Sequence, residues 1–207
     1  MPNPSVPERE LHLRSLQEAI TQMRYALRHY TKERRLSLNA EQLFELVIAS
    51  PIAFATSWDE QVDEVEKQIM QYAAQSVSLF FNEQFTPELQ SLFEELPAPD
   101  NMLDDRRFPE VLFNELRYLA AHTDKWYEAF ADALKAVLRL DPLVRQYVPE
   151  LKPLAETITE TLLIILLKNI GSDHIEEEQL YAMLSRLGLS FSKELYMRVL
   201  EQVSSKG

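Results

Sequence analysis

Residues 153–171, PLAETITETLLIILLKNIG, decide how this chain is read. Pro153 presets the backbone angle of a helix start, and Glu156 suits the positive end of the dipole. Leu162 to Leu167 is apolar on every face, and Gly171 stands where a helix C-cap belongs. A helix that is greasy all round has to be surrounded by other elements. The spacing therefore predicts a bundle packed around residues 160–170, with this helix as its most buried member. The run is far shorter than the ~20 residues that cross a bilayer, so no integral membrane segment is expected.

The rest of the chain agrees with a helical reading. Only three glycines occur in 207 residues, Gly171, Gly188 and the terminal Gly207. Hairpins and tight strand turns need the positive φ that glycine supplies, so a sheet-rich domain of this length would carry many more. Leu16, Ile20, Met23, Leu27 and Tyr30, with Leu11 before them, form an amphipathic stripe reaching to Arg35. Asn39 caps a second helix, which Pro51 is expected to kink or interrupt near Ser50. A third helix fits Val62 to Phe81, with Val65, Ile69, Tyr72, Ala73, Val77 and Phe80 on one side. Thr86-Pro87, Pro109, Thr123-Asp124 and Asp141-Pro142 each carry a start signal. Two helices hinged at Gly188 close the chain. The total is nine or ten, an all-α class. Pro97 to Asn101 is the clearest break. It suggests an N-terminal half over 1–96 and a C-terminal half over 102–207, although length alone allows a single domain.

Composition removes whole classes of function. The absence of cysteine excludes disulfides, zinc–thiolate sites, iron–sulfur clusters and thiol chemistry. A net charge of −12 argues against nucleic-acid binding. Met1 to Glu10 has no apolar core of a signal peptide, and the cytoplasm is the expected compartment. Charge is uneven along the chain. Residues 1–36 hold seven Lys or Arg against four Glu, whereas the remainder holds 14 against 29 acids. Two readings follow: the first helix neutralises acids elsewhere, in the same chain or a second copy, or it offers a basic arm to an acidic partner.

One pattern occurs twice. In ASPIAFATSWDEQVDEVEKQIMQYAA (49–74) an apolar helix ends, an acidic turn follows, and a lone apolar residue precedes the next helix. LLIILLKNIGSDHIEEEQLYAMLSRL (162–187) repeats this, with Val62 matching Ile175. Ala53-Phe-Ala-Thr-Ser-Trp-Asp59 followed by Val62-Asp-Glu-Val-Glu-Lys67 resembles the TerB-like helical proteins named for tellurite resistance. The family's Gly after the Asp is Glu60 here. Acidic residues in that turn of the family are associated with divalent cations, which the resemblance carries to Asp59, Asp63 and Glu66. Carboxylates at spacings of four and three suit Ca2+ or Mg2+, and the second turn offers Asp173, Glu176 and Glu177. It lacks the ligand ladder of an EF-hand. Ordinary enrichment of acid at helix N-termini accounts for the same residues.

Other candidates are single features. His29 and His122, on apolar-flanked runs, could ligate a haem. Glu156 and Glu160 share a helix face. Trp58 and Trp126, with Tyr72, Phe80, Phe81, Tyr127 and Phe130, could line a small-molecule pocket or simply form core. No phosphate loop, nucleophile elbow or Glu-x-x-His pair is present, and no catalytic residue is assigned. The leading expectation is a non-enzymatic module that binds a protein partner or forms a homo-oligomer. The alternatives are a Ca2+- or Mg2+-binding stress protein and a helical small-molecule or haem binder.

Overall fold

The computed structural model describes residues 6–56, 64–100, 103–170 and 177–204, with backbone only at 78–82 and 169–170. These residues form eleven α-helices and no strand: α1 Val6–Ala26, α2 Arg28–Arg34, α3 Ala40–Thr56, α4 Glu64–Gln84, α5 Pro87–Glu94, α6 Phe108–Ala121, α7 Thr123–Leu138, α8 Asp141–Tyr147, α9 Leu154–Ile170, α10 Glu177–Arg186 and α11 Lys193–Ser204. A single 3-10 turn, Asp105–Arg107, precedes α6. Among the described residues no helix is long and apolar enough to cross a membrane.

The axis of the bundle is α3, which corrects the expectation for residues 160–170. Every residue of α3 but Glu41 is buried. Helices α1, α4, α5, α6, α7, α9 and α10 all pack on it. In α9, by contrast, Thr161 and Ile164 are only half covered. Among the described residues, helix α9 packs mainly on α3, α4 and α11, fewer neighbours than surround α3. Small residues explain the difference. Ala40, Ala49, Ser50, Ala53 and Ala55 let surrounding helices approach α3 closely, whereas α9 fills its circumference with branched side chains. Helices from before and after residues 97–101 share these packings, α1 lying along α7 and both α3 and α4 along α6.

Pro51 sits inside α3 without ending it. Its missing N–H would have served the Val47 carbonyl. The Ser50 hydroxyl donates to that oxygen instead, at 2.8 Å, from a fully buried position. Ser50→Ala should therefore cost about 1 kcal/mol in urea unfolding, the worth of one buried hydrogen bond. Adding Pro51→Ala should recover part of it by restoring the N–H, and an unchanged midpoint in the single variant would show the hydroxyl to be idle.

Local capping follows the sequence at the starts of α3 and α5 and at the end of α10. The Asn39 Oδ1 accepts from the Gln42 N–H (2.7 Å) and the Gln42 Oε1 from the Asn39 N–H (3.2 Å), a reciprocal box. The Thr86 hydroxyl accepts from Leu89 N–H at the start of α5 (3.3 Å). Gly188, at φ 78°, closes α10 with a Leu189 N–H to Leu184 carbonyl bond of 2.9 Å. Two expected caps act elsewhere. The Thr123 hydroxyl donates back to the Leu119 and Ala120 carbonyls of α6. Asp141 accepts from Leu154 N–H (2.6 Å), so it caps α9 rather than α8. Both are tertiary outcomes: the residue serves whichever orphan group the packing brings near.

The stripes also need correction in places. Leu11, Val65 and Tyr72 are exposed, at 62%, 44% and 40%. Ile69, Ala73 and Val77 are buried on α4 as expected, and Met70 and Ala74 join them on the inner face.

Candidate functional site

The site is built where α2 crosses α6 and the start of α7. The α1–α2 stretch is nearly continuous, with a break at Leu27 that the Leu27 N–H to Met23 carbonyl and Thr31 N–H to Leu27 carbonyl bonds (both 2.9 Å) span. Arg35 ends α2 in the left-handed region (φ 55°), and the Leu36 N–H bonds the Thr31 carbonyl at 2.9 Å. That turn sends the chain into α3 and leaves Tyr30, Glu33 and Arg34 of α2 over α6.

Tyr30 is fully buried, its ring edge-on to Trp126 and Phe130 with centroids 5.0 and 4.9 Å away. Its hydroxyl donates to the Glu115 Oε2 at 2.6 Å. Glu115 is itself buried, and Arg34 binds it through two parallel bonds of 2.9 Å, Nε to Oε2 and Nη2 to Oε1. Such a fork is the strongest ordinary form of ion pair. Burial, and then the adjoining Glu115 carboxylate, push the Tyr30 hydroxyl far above its usual pKa, so it remains a donor. The Arg34 guanidinium also covers the Tyr118 ring at 3.9 Å. Tyr118 in turn donates to Glu33 (2.6 Å), which accepts from the Lys125 ammonium at 2.6 and 2.7 Å. The bonds from Lys125, then from Tyr118, hold the Glu33 carboxyl below its usual range. Beneath the site, the Trp126 indole N–H is buried and has no acceptor among the described residues.

Over this network lies an open groove of about 610 Å3 along α6, lined by Arg34, Val111, Asn114, Glu115, Arg117, Tyr118, Ala121 and His122. The His122 ring stacks on Tyr118 at 4.2 Å, and its Nδ1 lies 2.8 Å from the Tyr118 carbonyl. A carbonyl oxygen only accepts, so Nδ1 carries a proton. The groove's one acid, Glu115, is consumed by Arg34 and Tyr30. Asn114 and Arg117 are exposed, and neither makes a hydrogen bond or ion pair with the described residues. Arg117 meets only the Phe113 ring, at 5.7 Å.

The residues expected to carry function fall as follows. Asp59, Asp63, Asp173 and Glu176 lie outside the described residues, as does Trp58. Glu66 is half-buried on α4, and Glu177 begins α10. Among the described residues no three His, Cys, Asp or Glu side chains converge as a metal site would require. His29 is exposed on α2, and His122 lies on the groove just described. Glu156 and Glu160 join Lys152 and Arg198 in an ion-pair cluster tying α9 to α11, with the Lys152–Glu160 contact at 2.5 Å. Trp126, Tyr127 and Phe130 are core; the Tyr127 hydroxyl donates to the Met183 carbonyl (2.8 Å). A small apolar cavity of about 30 Å3 between α3, α4 and α9 has room for roughly one water. Part of the basic start of the chain is engaged in the same molecule: Arg9 pairs with Glu95, Arg24 donates to the Pro97 carbonyl (3.1 Å), and Arg34 holds Glu115.

Sequence reading passed over Glu115. The signal was present, because it stands three residues after Leu112 and four before Leu119, on the apolar stripe of α6. A carboxylate on an inward stripe requires a buried partner.

A second acid is perturbed near the start of α3. Burial, then Asp105 and Glu94, raise the Glu41 carboxyl to about 7. Its folded pKa exceeds its unfolded one, so the native state binds the extra proton and stability falls as pH rises from about 4.5 to 7. Glu41→Gln should match the wild type at pH 4 and exceed it at pH 8. The gain, discounted for the solvent that reaches this group, is on the order of 1 kcal/mol. Denaturant titrations at the two pH values check it, and equal gains at both would refute the assignment.

Comparison with known protein families, characterised proteins and solved structures returns no match.

Proposed function

We propose that this chain is a non-enzymatic helical interaction module that binds a protein partner or a second copy of itself through the α6 groove. One observation carries the reading. The groove is held rigid by the Tyr30–Glu115–Arg34 fork, yet its rim groups Asn114 and Arg117 make no hydrogen bond or ion pair with the described residues. Preorganised surface with unspent donors favours association, because little ordering remains to be done on binding. The TerB-like resemblance of residues 53–67 belongs to the same proposal, with the cytoplasm as the expected compartment. A photo-crosslinking residue placed at exposed Ala121 tests the reading in intact cells, with Glu18 on the outer face of α1 as control. Covalent adducts to another polypeptide should form from position 121 and not from 18. No adduct from 121 above the control would refute it.

A further inference from the structure

Resting on that reading, we infer that the α6 groove takes an acidic protein segment, with carboxylates set against Arg117 and Arg34 and an apolar side chain over Val111 and Ala121. The argument is charge complementarity. The chain as a whole carries −12, yet the groove's lining bears two guanidinium groups against one carboxylate. That carboxylate is already bonded twice by Arg34 and once by Tyr30, so it offers an incoming acid little repulsion. Arg34 spends Nε and Nη2 on Glu115 and has Nη1 left; Arg117 has its whole fork. Guanidinium is the group best shaped to receive carboxylate in pairs of bonds. Asn114, three residues before Arg117 on the same helix face, adds an amide donor. The polar and apolar parts of the lining match an amphipathic segment rather than a small ion. A second copy docked across a two-fold axis on the same groove would face Arg117 with its like, which favours a different chain as occupant.

The test uses the full chain and a short fluorescein-labelled peptide of alternating Glu and Leu, with the Lys–Leu peptide as counterpart. Anisotropy should show binding of the acidic peptide only, weakening as salt is raised. Arg117→Glu should weaken it roughly tenfold or more, whereas Arg14→Glu, the same charge reversal on the outer face of α1, should leave it unchanged. Both side chains are exposed, and matching melting curves establish that both variants fold. Absence of acidic-peptide binding overturns the inference, as does equal weakening by both variants, which marks nonspecific attraction. Sedimentation velocity on the same proteins gives the groove to a second copy if Arg117→Glu abolishes a concentration-dependent dimer, and this too overturns it. Failure here with adducts still forming from position 121 leaves the interaction reading standing; loss of those adducts removes that reading itself.

Discussion

Glu115→Ala should cost the fold about 3 kcal/mol, toward the low end of what breaking a buried ion pair removes. The substitution leaves the Tyr30 hydroxyl, fully enclosed, with no acceptor, and takes from Arg34 both bonds that place it over Tyr118. Arg34 keeps some solvent, its side chain being 30% exposed, so the stranded cation is partly rehydrated and the loss stays at the lower end. Glu115→Gln keeps an acceptor for Tyr30 and should lose roughly half as much. Removing all three polar ends together, with Tyr30→Phe, Arg34→Met and Glu115→Met, should return most of the stability, because the cost lies in orphaned groups rather than in the missing attraction. Urea unfolding followed by far-ultraviolet circular dichroism resolves these steps. A loss below about 1 kcal/mol in Glu115→Ala would mean that the fork does not hold α2 to α6.

Phe54→Ala should cost about 4 kcal/mol, a large share of the stability of any single domain. Phe54 is 2% exposed in the middle of the packing against α7, its ring 5.1 Å from Tyr127 and 6.0 Å from Phe130. Deleting the ring leaves a cavity that helices on several sides cannot all close. The comparison that separates α3 from α9 uses one residue type. Ile52→Ala, at a site 3% exposed on α3, should cost about 3 kcal/mol, and Ile164→Ala, half-covered on α9, about 1. Equal costs at the two isoleucines, measured by thermal or denaturant unfolding, would put the two helices on the same footing and remove α3 from the centre.

The helical class of the described residues was legible because its signals are local. Asn39, Thr86 and Gly188 act on groups within their own turn, and the structure uses each as its side chain predicts. The candidate site was less legible. The basic excess of residues 1–36 stood out as charge, but the chemistry of Glu33 and Arg34 depends on Glu115, 81 residues beyond Arg34, and on Lys125, 92 beyond Glu33. Asp141 shows the same limit at short range: the expected cap exists, but for a helix that begins 13 residues later.

The amino-acid sequence alone determined that this chain is helical, where most helices start and stop, and which charges and cofactor chemistries it forgoes. Those properties reside in single side chains and in repeats of three or four residues. Tertiary structure decided which helix lies at the centre, which carboxylate is buried and bonded, and which arginine on the rim of the groove makes no ion pair with the described residues. Burial is a property of how many neighbours close around a residue. Leu162 to Leu167 is greasier, but the alanines and Ser50 of α3 admit more helices, and so the core formed there.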